Sequence, residues 1–176
     1  MERNKIKLIV VSRAAIQELA PVLEQLFAQC GCGHRYAVCS FEQLQTQGIY
    51  GSPYLCLLDS RQDCLQMASS PYQFPLCVMN DALAEAAQAK ATAPNHVLTY
   101  STSSDHADFT AKNIRCVQEY GCAFEIVGIG IIGRIRLRTA EQADVKIALM
   151  SASVCIACGI PFADVLTSLN TLAVGA

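Results

Sequence analysis

Several groups of residues have types and spacing that could do chemistry. Gly128-Ile-Gly130-Ile-Ile-Gly133 matches G-x-G-x-x-G, the pattern that brings backbone N–H groups close to a dinucleotide pyrophosphate. That fingerprint needs a helix opening at its third glycine. Here Arg134-Ile-Arg-Leu-Arg138 follows, an alternating strand, so a hairpin turn is expected instead of a cofactor loop. Cys30-Gly-Cys32-Gly-His34 offers three soft ligands, but a structural zinc site needs four. Cys155-x-x-Cys158 has ligand spacing but sits in an apolar helix, with no basic neighbour to favour thiolates. No metal and no cofactor are expected; a turn and core packing account for these cysteines. Ser104, Asp105, His106 and Asp108 combine nucleophile, base and acid types. Sequence neighbours do not converge as a triad does, so a polar loop is expected. Arg134, Arg136 and Arg138 share one strand face, most simply a solvated one.

The elements that would position these residues alternate. Ile6 to Val11 (IKLIVV) is a continuous β-branched run, as in a strand buried on both faces. A helical face follows through Ile16, Leu19, Leu23, Leu26 and Phe27, with Pro21 expected to kink it or mark its start. RYAVCS, PYLCLLD, FPLCVMN and HVLTYS read as further buried strands, separated by helical segments at 41–47, 61–69 and 81–91. This alternation predicts an α/β fold with a mostly parallel sheet and flanking helices over 1–101. STSSD (Ser101 to Asp105) is the best loop. Antiparallel strands are expected within 108–138 and two helices within 144–176, with Gly159 ending the first and Pro161 opening the second.

A chain of 176 residues that is 52% hydrophobic and 16% charged can bury a sizeable core and is not disordered. A net charge of −2, no Trp and few aromatics give no case for a nucleic-acid partner. Most of the ten cysteines lie in apolar runs. All ten are expected as reduced thiols, mostly buried, which implies a reducing, cytoplasmic setting. No signal peptide is legible, and the longest uncharged run, Ile147 to Ala163, is short and broken by Gly159 and Pro161, so no membrane insertion is expected.

From Phe74 onward, motif order resembles the central domain of the Mur ligases, relatives of the folylpolyglutamate and cyanophycin synthetases. The matching pieces are a strand ending in Asn80-Asp81, VLTYS, the stretch Ala107-Asp108-Phe109, Gly121 to Phe124, and an Ala-rich helix ending in Gly159-Ile-Pro161. The resemblance implies a single domain of that type over 1–176. If the chain is active, it implies an ATP-dependent acid–amino-acid ligase working in peptidoglycan synthesis.

The departures point the other way. In that family the first strand runs into a glycine-rich phosphate loop with Lys and Ser or Thr. Here Ser12-Arg13-Ala14-Ala15 follows, with no glycine before Gly31 and no lysine between Lys7 and Lys90. The places of the family's His-Asn signature hold Ala143, Asp144 and Ile147, and the family's C-terminal domain has no counterpart before Ala176. The expectation is a degenerate domain without ligase activity alone, working through protein contact with a second copy or with an active Mur-type ligase. The alternative is a small-molecule or ligase-related site at the carboxyl ends of the parallel strands. Its residues would be Ser12, Asp59, Asn80, Asp81 and Ser101, with Ser40 at the neighbouring strand end. No catalytic residue is assigned.

Overall fold

The computed structural model describes residues 5–46 and 51–172. Gln47, the last residue of the expected 41–47 helical segment, and the chain after Leu172 lie outside the described residues. Eight strands form one sheet in the order β2-β1-β3-β4-β5-β6-β7-β8. They are β1 (Lys7–Val11), β2 (Tyr36–Ser40), β3 (Ser52–Leu58), β4 (Leu76–Asn80), β5 (Val97–Ser101), β6 (Phe109–Val117), β7 (Gly121–Gly128) and β8 (Ile131–Leu137). β1 to β5 are parallel, and HVLTYS shares the sheet with IKLIVV as expected. β6 still runs parallel to β5, and only the β6–β7–β8 segment is antiparallel.

The helices are α1 (Arg13–Gln29), α2 (Phe41–Thr46), α3 (Arg61–Ser69), α4 (Ala84–Thr92), α5 (Gln142–Ala157) and α6 (Phe162–Thr171). β1 explains why its sequence is apolar throughout. Ile9 and Val11 enter a core shared with α1, α5 and α6, while Leu8 and Val10 enter a second core with Phe41, Leu44, Cys64 and Ala86 of α2, α3 and α4. Alternate side chains thus fill both sides of the sheet. Pro21 neither starts nor ends α1, which runs on through it from an N-cap at Ser12.

The G-x-G-x-x-G stretch is a two-residue hairpin turn. Gly130 has φ +71, which suits glycine in such a turn. Gly133 serves packing: a Cβ there would come within 2.8 Å of Phe162 and Leu166, so its absence lets α6 close on β8. α6 also covers the open edge of β8. Asn170 Oδ1 accepts from Arg136 N at 2.9 Å, and its Nδ2 donates to Arg134 O at 3.0 Å. One amide side chain therefore satisfies edge groups that would otherwise pair with another strand.

The expectation of ten reduced thiols fails at one pair. Cys116 and Cys122 form a disulfide. They stand directly opposite each other in the β6–β7 register, with Cα atoms 4.0 Å apart. The other eight are free; Cys32, Cys39, Cys56, Cys64 and Cys155 are buried and Cys30, Cys77 and Cys158 half-buried. Among the described residues, no helix is long and apolar enough to cross a membrane.

Candidate functional site

The carboxyl ends of β1, β2 and β3 open into a cleft of about 770 Å³. Its walls come from the start of α1 (Ser12, Arg13), from Glu42 of α2, from the β3–α3 turn (Asp59, Asp63), and from α5. On α5 the face Ala143, Lys146, Ile147 and Met150 points in. These positions are three and four apart and so share one side of the helix.

Asp59 is the centre of the arrangement. Its Oδ1 accepts from Tyr100 Oη at 2.6 Å and from Asn80 Nδ2 at 3.1 Å. Its Oδ2 accepts from Lys146 Nζ at 2.7 Å, an ion pair whose side chains are 39% and 28% exposed. Both oxygens are thus held by protein donors. Tyr100 is buried, and burial first, then the Asp59 charge, pushes its hydroxyl well above the usual tyrosine range. Next to this centre, Asp63 closes a capping box on α3. It accepts from Asp59 N at 2.8 Å and Ser60 N at 2.9 Å, while its own N–H donates to Ser60 Oγ.

Glu42 supplies the other wall. Its Oε1 accepts from Gln66 Nε2 at 3.0 Å, and its buried Oε2 has no hydrogen-bond partner. A hydrogen bond from its own backbone N–H holds its carboxyl below the ordinary glutamate range. Glu18, Glu42, Asp59 and Asp63 face only Arg13 and Lys146 as charged groups of opposite sign in the lining. The cleft is therefore net negative.

The residues named from sequence divide accordingly. Ser12 and Asp59 line the cleft, and Asn80 braces Asp59. Ser12 Oγ is occupied as the N-cap, accepting from Ala15 N at 3.2 Å. Asp81 is not in the lining; its N–H continues the ladder to Tyr100 O at 2.9 Å. Ser101 is buried, and its Oγ accepts from the N–H groups of Ser103 and Ser104 in the following loop. Ser40 caps α2, exchanging hydrogen bonds with Gln43. Of the positions counted back from Gly159, Ala143 and Ile147 face the cleft, while Asp144 is not in its lining. Sequence reasoning missed Lys146, Tyr100 and Glu42.

The other groupings do not assemble. Asp108 pins β5 to β6, accepting from Lys90 Nζ at 2.6 Å and Thr99 N at 2.8 Å. Asp105 instead pairs with Lys112 at 2.8 Å, so no triad forms with His106. The ends of α1 and α5 bring Cys30, Cys32, Cys155 and Cys158 into one core region. Burial holds the last of these thiols up at about 12 and Cys155 well above its usual value, so they stay protonated. Among the described residues, no group of three His, Cys, Asp or Glu is placed to hold a metal ion.

No family model and no curated protein matches the chain. Solved structures do. The UDP-N-acetylmuramoyl-L-alanyl-D-glutamate–2,6-diaminopimelate ligase superposes with a TM-score of 0.76 at 12% identity, over 99% of this chain and 47% of that one. The UDP-N-acetylmuramoylalanyl-D-glutamyl-2,6-diaminopimelate–D-alanyl-D-alanyl ligase of Acinetobacter baumannii gives 0.70 at 10% identity, over 96% and 46%. The UDP-N-acetylmuramate–alanine ligase MurC of Thermotoga maritima gives 0.61 at 11% identity, over 94% and 44%. The chain has the fold found in these Mur ligases and spans about half the length of the structures it matches.

Proposed function

We propose that residues 1–176 form one Mur-ligase-central-domain-like unit that has lost nucleotide chemistry. It acts through protein contacts, in the cell-wall or amide-ligase setting in which its structural neighbours work, and in the cytoplasm, a setting that the eight unpaired cysteines suit and the Cys116–Cys122 disulfide opposes. The observation that carries this reading is the Lys146–Asp59 pair, 2.7 Å apart at the carboxyl end of β3. A carboxylate there could hold a divalent cation beside a bound triphosphate. Lys146 supplies the positive charge instead, and Tyr100 and Asn80 take the other oxygen.

ATP·Mg²⁺ fits the rest of the cleft no better. A phosphate cradle needs backbone N–H groups exposed by glycine, a lysine and a metal-binding hydroxyl acting together. The turn after β1 has no glycine, its one cation is Arg13, and Ser12 Oγ is engaged as an N-cap. The surrounding carboxylates repel phosphate.

A second reading has one observation in its favour. The partnerless Glu42 Oε2 lines a cleft of small-molecule size, so Ser12, Asp59 and Asn80 remain members of a proposed ligand site. Asp81 and Ser101 would contribute only at its margin. Thermal-shift screening with ATP·Mg²⁺, UDP-sugars and amino acids separates the two. The contact reading expects no shift with any of them; a saturable shift that Glu42→Gln removes would establish the ligand site instead.

A further inference from the structure

The antiparallel segment leaves one face uncovered. Phe124, Ile126, Ile135 and Leu137 point into the core, so their neighbours point outward. In the register, Ala123 lies between Arg115 and Arg136, and Glu125 lies between Lys112 and Arg134. Over Ala123 there is a notch of about 240 Å³, bordered by Arg115, Arg134, Arg136, Val117 and Tyr120. Its floor is low because Ala123 and Gly121 are small. Tyr120 and Val117 are 83% and 51% exposed at its end.

The charges of this face are unbalanced by design of the strand. Ion pairs among the described residues are Arg61–Glu85, Lys90–Asp108, Lys112–Asp105 and Lys146–Asp59. None involves Arg115, Arg134 or Arg136. Glu125 stands opposite Arg134, yet its carboxylate accepts from Asn113 Nδ2 at 2.7 Å. Asn113 sits at the irregularity of β6 with φ 55. That irregularity turns Glu125 toward an amide, Lys112 takes Asp105, and Glu119 in the β6–β7 turn is in none of the ion pairs among the described residues, so three guanidiniums are left to solvent.

We propose that this face docks an acidic polypeptide segment of another protein, with one carboxylate seated in the notch between Arg115 and Arg136. This deepens the protein-contact reading and rests on it. Guanidinium forks bind carboxylates with paired N–H donors, and arginine with tyrosine is the pairing enriched in interface anchors. The notch is below the usual 300–1,000 Å³ of small-molecule pockets and suits a single side chain. The partner would lie on the face, because Asn170 already occupies the middle of the β8 edge. A second copy, which also carries exposed acids such as Glu24, Glu141 and Asp164, is the competing occupant that sedimentation distinguishes.

The test uses the full chain and fluorescein-labelled hexaglutamate, read by fluorescence anisotropy at low salt. The expected result is saturable binding that weakens at least about tenfold in R115Q/R136Q, as loss of two anchors implies, and persists in R61Q. Circular dichroism melts of each variant show that folding is retained. No binding, or equal binding by R115Q/R136Q, overturns the proposal. So does tighter binding of an oligothymidylate of equal charge, which would make the face a nucleic-acid surface. Sedimentation showing a wild-type dimer that R115Q/R136Q dissociates would assign the face to a second copy. ATP binding in the cleft would defeat the contact reading while leaving the peptide result unchanged, so the two failures are distinguishable.

Discussion

Lys146 Nζ lies 2.7 Å from Asp59 Oδ2, joining α5 to the carboxyl end of β3 across the cleft floor. The pair is only partly exposed, so it is screened less than a surface ion pair and desolvated less than a buried one. Lys146→Ala is expected to cost about 1–2 kcal/mol, between the ranges for exposed and buried pairs. Urea denaturation measures it, and a double-mutant cycle with Asp59→Ala isolates the coupling. Additive single-variant effects would show that the contact contributes nothing.

Tyr100→Phe removes the 2.6 Å hydrogen bond to Asp59 and little else. A hydrogen bond to a charged acceptor contributes about 1.5–3 kcal/mol, so a loss in that range is expected in the same denaturation experiment. A variant as stable as the wild type would mean that water replaces the hydroxyl without cost.

Stability is expected to fall as pH rises above about 9, where free thiols begin to ionise. Burial raises Tyr36 and Cys158 to about 12 and Cys39 to about 11, and raises Tyr100 and Cys155 well above their usual ranges. These folded-state values lie above the unfolded ones, so the folded chain holds more protons in the alkaline range. Their stabilisation is complete below the unfolded values and is lost as pH climbs towards the folded ones. Thermal melts from pH 7 to 11 should show a declining midpoint; a flat profile would contradict the burial of these groups.

Thiol titration in denaturant without reductant should find eight groups, and ten after reduction, because Cys116 and Cys122 are paired. Ten without reduction would restore the fully reduced reading.

The parallel strands were legible because each is a short apolar run bounded by loop residues, and the β7–β8 hairpin because Arg134, Arg136 and Arg138 alternate with Ile135 and Leu137. Asp59 and Asn80 were legible as strand-end polar residues. Lys146 was not: it lies in a helix apolar on nearly every side, and only the tertiary fold decides which face meets a cleft. Its spacing with Ala143, Ile147 and Met150 was the available signal. Tyr100 was visible only as a strand residue, since its partner lies 41 positions away. The disulfide depended on hairpin register, which pairs 117 with 121 and so 116 with 122. Sequence composition alone could not fix that register.

Isothermal calorimetry with ATP·Mg²⁺ tests the loss of nucleotide chemistry most directly. Millimolar affinity requires about 4 kcal/mol. An exposed Arg13 contributes about 1 kcal/mol by analogy with surface ion pairs, and an exposed helix N-terminus up to about 1 kcal/mol. The cleft carboxylates act against both. The expected titration is flat at millimolar nucleotide. Saturable, Mg²⁺-dependent heat that Asp59→Ala abolishes would contradict the account, because it would show the Lys146–Asp59 pair opening to admit the metal.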